Sequence, residues 1–143
     1  MDVIVIFIHL NPGDTGMKRW LNLTEFVSSP FDKENAGVSL SCRAQGLGHW
    51  KVILYHNNME DVDPRVTFES FFDVNTTATE FTPVKLGIQS FKAYFRGREV
   101  DDVKTLDTNK IAGIGLQAYG GVYKADKQSG PGSLELEFID IRL

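Results

Sequence analysis

The stretch SGPGSLELEFIDIRL, Ser129 to Leu143, decides the fold class. After the turn Gly130-Pro131-Gly132, the run Leu134, Glu135, Leu136, Glu137, Phe138 alternates apolar and acidic with period two, the signature of a half-buried strand. The phase then changes: Ile139, Ile141 and Leu143 take over the apolar role. A period-two strand cannot bury both sets on one side. The run therefore predicts either a β-bulge near Phe138 or a far end covered on its second face, the latter implying a central rather than an edge position.

The same grammar recurs upstream. In RVTFESFFDV, Val66, Phe68, Ser70, Phe72 and Val74 share one face, while Thr67, Glu69 and Asp73 share the other. HWKVILYH places Trp50, Val52 and Leu54 together. QSFKAYFRG sets Phe91, Ala93 and Phe95 against Lys92, Tyr94 and Arg96. IAGIGLQAY turns Ile114, Leu116 and Ala118 inward, and VSLSC alternates from Val38 to Cys42. Pro83 suggests an edge or a bend. VIVIFIHL reads as a buried strand over Val3–Ile8; it is far too short to span a bilayer and lacks the flanks of a signal peptide or a transit segment. WLNLTEFV reads as a strand or one helical turn, and no segment has a helical period. About eight short strands predict one all-β domain over 1–143, a two-sheet antiparallel sandwich or jelly roll. Its expected core contains Phe68, Phe72, Phe91, Phe95, Leu116 and Leu136.

Composition narrows the function classes. A chain of 143 residues can bury a self-sufficient core. A net charge of -4 with scattered Lys and Arg argues against nucleic-acid binding, which needs a basic stripe. The single Cys42 allows no internal disulfide and points toward a reducing compartment.

Candidate chemistry is sparse. The three histidines do not form a zinc set: His49 and His56 are seven residues apart on one strand, so they face opposite ways and read as surface or rim residues. No nucleophile elbow or phosphate loop is present. Glu135 and Glu137 could suggest a glycosidase pair, but carboxylates at i and i+2 of one strand read instead as a solvated face. Neither a catalytic set nor a metal or cofactor site is expected. Both tryptophans, Trp20 and Trp50, read first as core. Tyr94, Tyr119 and Tyr123 are aromatics suited to a protein interface or to stacking on a sugar.

The order of motifs in the C-terminal half carries a resemblance. Phe91, Arg96-Gly97-Arg98, Leu106-Asp107, Lys110-Ile111, Ile114-Gly115-Leu116, Gly130-Pro131 and the strand from Leu134 through Ile139 and Ile141 follow one another with family-like spacing. This resembles the complex I intermediate-associated protein 30 family. The family's glycine-rich opening segment has no counterpart here, and Gly132 stands where a bulky aromatic is more usual. The resemblance implies a galactose-binding-domain-like jelly roll. It also implies a non-catalytic interaction module that serves as an assembly factor or accessory subunit of a membrane-associated complex, most specifically respiratory complex I. The location it implies is mitochondrial; without it, the composition suits the cytoplasm. The alternative function is a carbohydrate-binding module of jelly-roll type. The partner-binding candidates are Tyr94, Arg96, Gly97, Arg98, Tyr119 and Tyr123, with Gly97 allowing a sharp turn that presents the two arginines at a sandwich end.

Overall fold

A computed structural model describes residues 6–9, 36–119, 128 and 131–142. They form nine strands: β1 (Ile6–His9), β2 (Gly37–Gln45), β3 (His49–His56), β4 (Thr67–Asp73), β5 (Thr82–Gly87), β6 (Lys92–Phe95), β7 (Arg98–Glu99), β8 (Ile111–Ala118) and β9 (Ser133–Arg142). Single 3-10 turns lie at Ile88–Ser90 and Thr108–Lys110. A six-stranded sheet has the order β1-β8-β3-β4-β6-β7 and a three-stranded sheet the order β5-β2-β9, with every described pairing antiparallel. Of the predicted strand Val3–Ile8, the described part runs from Ile6. Trp20 and the WLNLTEFV segment lie outside the described residues.

The alternation of β2 makes the sandwich. Val38, Leu40, Cys42 and Ala44 are fully buried and join one apolar cluster with Trp50, Val52 and Leu54 of β3, Phe68 and Phe72 of β4, and Ile114, Leu116 and Ala118 of β8. Phe91 is buried in the same cluster, whereas Phe95 and Leu136 pack against it only partly buried. Trp50 satisfies its indole by donating to the Leu47 carbonyl at 2.8 Å. Ser70, the one polar residue on the inner face of β4, bonds Ser90 at 2.6 Å, and Ser90 in turn donates to the Gly87 carbonyl. Leu47 occupies the space that a side chain at position 132 would need, which accounts locally for Gly132.

The phase change of the last strand is resolved by a bulge. Ser41 pairs with Phe138 while Cys42 pairs with Leu136, so Glu137 is the extra residue. Leu134, Leu136, Ile139 and Ile141 thereby fall on the core side, opposite Ala44, Cys42, Leu40 and Val38. The expectation of a central position is corrected: β9 pairs with β2 alone among the described strands and lies at the sheet edge.

One further expectation is extended and one is corrected. Glu135 and Glu137 are exposed, as expected, and each also has a partner. Glu135 accepts from the Arg43 guanidinium, and Glu137 accepts from the Ser41 hydroxyl at 2.7 Å. Arg43 also donates to the Thr79 carbonyl and lies 4.6 Å from the Phe81 ring centre. Sequence alternation could not see these partners, which belong to other strands and loops. His56 is not a rim residue. It is buried on the inner side of β3, edge-on to Phe68, with Nε2 at 3.2 Å from the Asp63 carbonyl.

Two outcomes follow from this packing. Phe91→Ala should lower stability by about 3–5 kcal/mol in a urea titration, because it empties a closed core site; a midpoint close to wild type would place Phe91 outside the core. Burial pushes the Cys42 thiol up to about 11. Folded protein should therefore resist a thiol-specific disulfide reagent at pH about 8 and react in denaturant. Prompt reaction of the folded chain would contradict that burial.

Candidate interaction surface

Antiparallel register brings the polar residues of β3, β4, β6 and β8 onto the outer face of the large sheet. Lys51 and Glu69 meet there at 2.5 Å, with side chains only 13% and 6% exposed. The Thr67 hydroxyl donates to the other carboxylate oxygen at 2.6 Å. Aromatic rings shelter this pair. Phe71 and Tyr94 flank Glu69 along the paired strands β4 and β6 and meet edge to face at 5.5 Å. Phe71 also meets Tyr119 at 4.7 Å, and Tyr119 lies 5.8 Å from the His49 ring. Burial raises the hydroxyls of both Tyr55 and Tyr94 above the usual tyrosine value, and the Glu69 charge adds to the rise in each.

Gln128 organises the end of this face. Its Oε1 accepts from the backbone N–H groups of Gly48 and His49, while its Nε2 donates to the carbonyls of His49 and Tyr119. One amide thus ties the start of β3 to the end of β8. His49 Nδ1 lies 2.5 Å from Asp73, across the β3–β4 pair.

The partner-binding candidates read from the residues separate here. Tyr94 is corrected from an exposed contact to a buried side chain, 7% exposed, because Phe71 and the Glu69 site draw its ring inward. Tyr119 is half-buried against Phe71 and His49. Tyr123 lies outside the described residues. Arg96, Gly97 and Arg98 are exposed, as the glycine turn implied. Lys51, Glu69 and Phe71 were missed as a cluster; alternation marked Glu69 alone as outward, and the meeting of the three depends on register.

The Arg96-Gly97 turn is unusual in its chemistry. Phe95 pairs with Arg98, so only Arg96 and Gly97 connect β6 to β7. Both have positive φ, +50° and +76°. That is the type I′ pattern of a two-residue hairpin, which favours Asn-Gly. Gly97 supplies its conformation without steric cost and has open space around it. Arg96 bears a Cβ penalty of about 1–2 kcal/mol in the left-handed region. Its guanidinium lies 5.3 Å from the Phe95 ring centre, and that of Arg65 lies 5.2 Å from the same ring. Arg65 is itself held by Asp63, through Nε at 3.1 Å and Nη2 at 2.8 Å. The Arg65 hydrogen bonds hold the Asp63 carboxyl down to about 2.

Other places offer less. An open cleft of about 380 Å³ is lined by Asn58, Met59, Glu60, Lys104, Thr105, Asp107 and Lys110, but its charges balance and Lys104 already pairs with Asp61 at 3.1 Å. Among the described residues no group of three His, Cys, Asp or Glu could hold a metal ion, and no helix is long and apolar enough to cross a membrane.

The sheltered ion pair makes a testable statement. Lys51→Met strands the Glu69 carboxylate under the rings and should cost about 3 kcal/mol, whereas the double change Lys51→Met with Glu69→Leu should regain most of the loss. A single variant that melts like wild type would mean that the pair is solvated.

Comparison with known proteins bears on the whole surface. No curated protein and no solved structure matches the chain. The family profile described as complex I intermediate-associated protein 30 matches residues 24–136. That span includes eight of the nine described strands in whole or in part, from β2 through the first residues of β9. It contains the β6–β7 turn and the Lys51–Glu69 site. With most of its length matched, the chain belongs to the complex I intermediate-associated protein 30 family.

Proposed function

We propose that this domain is a non-catalytic protein-interaction module that acts in assembly of mitochondrial respiratory complex I by holding one of its protein subunits. The observation that carries the reading is the family match over residues 24–136. The surface supports it in kind. Glu135 and Glu137, the carboxylates that suggested a glycosidase pair, are occupied by Arg43 and Ser41. The outer-face aromatics Tyr94, Phe71 and Tyr119 pack against one another. The exposed Arg96-Gly97-Arg98 hairpin offers guanidinium donors of the kind enriched at protein interfaces. A mitochondrial site of action follows from the same family reading.

Capture of the native partner beside a melting curve tests this function. Arg96→Asn keeps a residue that tolerates positive φ, so its melting temperature should equal or slightly exceed that of wild type. Recovery of complex I subunits from a mitochondrial extract should fall by about threefold or more, in line with the loss of a charged interface contact. Capture of no complex I subunit by the wild-type chain would overturn the proposal. Normal capture by the variant would move the interface away from the hairpin.

A further inference from the structure

Two arginines converge on one ring at the β6–β7 end of the large sheet, and they come from different parts of the chain. Arg65 belongs to the loop between β3 and β4, whereas Arg96 belongs to the hairpin turn. Phe95 lies between them in the contact pattern, with each guanidinium about 5 Å from its centre. The loop is fastened by His56, which meets the Asp63 carbonyl, and by the Val66 amide, which donates to the same carbonyl at 3.0 Å. The hairpin is fastened by its ladder and by the Val100 amide, which donates to Ala93 at 3.0 Å. Both guanidiniums are therefore presented from supported backbone.

The two are not equivalent. Asp63 already supplies Arg65 with a two-pronged carboxylate partner and also accepts from the Arg65 amide at 2.8 Å. This internal pair displays the chemistry that the site accepts: a carboxylate against a guanidinium braced by an aromatic ring. Arg96 has the same ring beneath it, is exposed, and occupies a backbone conformation in which Asn or Gly would be less strained. Strain of this sort survives where something other than stability keeps the residue. A guanidinium resting on a ring has lost part of its rotamer freedom beforehand, so less is lost when it binds.

We propose that the Arg96–Phe95 tip docks a carboxylate-bearing segment of the partner protein, with the Arg96 guanidinium taking a side-chain carboxylate as Arg65 takes Asp63. This rests on the interaction-module reading and names the partner's chemistry.

The test is fluorescence anisotropy with a labelled octapeptide of alternating Glu and Ser, and a matched Lys and Ser peptide as control, at about 20 mM salt, where screening is weak. The full chain should bind the Glu peptide and not the Lys peptide. Arg96→Asn should weaken binding about three- to fivefold, the scale of one exposed charged contact, and Arg96→Glu should weaken it further. Lys110→Asn, which removes one charge at the second 3-10 turn, should leave it unchanged. Equal loss with Lys110→Asn, or no loss with either Arg96 variant, would overturn the proposal. So would Arg96-dependent binding to phosphatidylserine vesicles without binding to the Glu peptide, because the site would then read a lipid surface. The capture experiment keeps the two readings apart. Peptide binding that needs Arg96, with no complex I subunit captured by wild type, leaves the docking chemistry standing and removes the assembly role. Subunit capture that is indifferent to Arg96 does the reverse.

Discussion

β9 has to place Leu134 and Leu136, and then Ile139 and Ile141, on one face of a ladder whose side chains alternate strictly, and Glu137 is the extra residue that makes this possible. The small sheet depends on that insertion. Without it, either Leu134 and Leu136 or Ile139 and Ile141 would face away from β2's fully buried Val38, Leu40, Cys42 and Ala44. With it, the apolar pairs stack in register and the sheet closes over Trp50, Val52 and Leu54. The bulge also sends Glu137 to the Ser41 hydroxyl, so a packing device serves as a polar contact as well.

The two sheets use their outer faces differently. The small sheet places a solvent-reachable Arg43–Glu135 pair beside Phe81, an arrangement that holds a strand edge but adds little stability in water. The large sheet does the opposite with Lys51 and Glu69, whose pair sits under rings where it is shielded from screening. A sheltered pair specifies register, because a slip by one residue would separate the charges and bury each alone. Tyr94 contributes to that shelter, which is why an aromatic suited by type to an interface serves the structure instead.

The end of the large sheet departs from this pattern. Arg96 remains exposed in a turn that would be less strained with Asn, and its ring support is shared with an arginine from a separate loop. Family membership assigns the chain to a group associated with complex I assembly. Asp61 and Asp102 are also exposed charges at positive φ, but the left-handed region suits Asp better than Arg, so the hairpin is the described place where an exposed cation bears that strain.

Several features were legible from the residues alone. Alternation in SLELEFIDI, VTFESFFDV and IAGIGLQA determined strand identity and the inward set, because period two is a local property of an extended backbone. The phase slip announced either a bulge or a second covered face, between which only strand pairing decided, and Gly97 announced its turn. The motif order announced the family. The tertiary structure alone decided which strands are neighbours, and hence that β9 lies at an edge among the described strands, that Glu135 meets Arg43, and that Lys51 meets Glu69. It also decided that Tyr94 is buried while Arg96 is not, although the two stand only two residues apart and point by alternation to the same side. The physical reason is that burial on an outer face depends on what a neighbouring strand brings across it. Phe71 reaches Tyr94 from β4. At the turn the backbone leaves the extended conformation, so alternation no longer governs where Arg96 points.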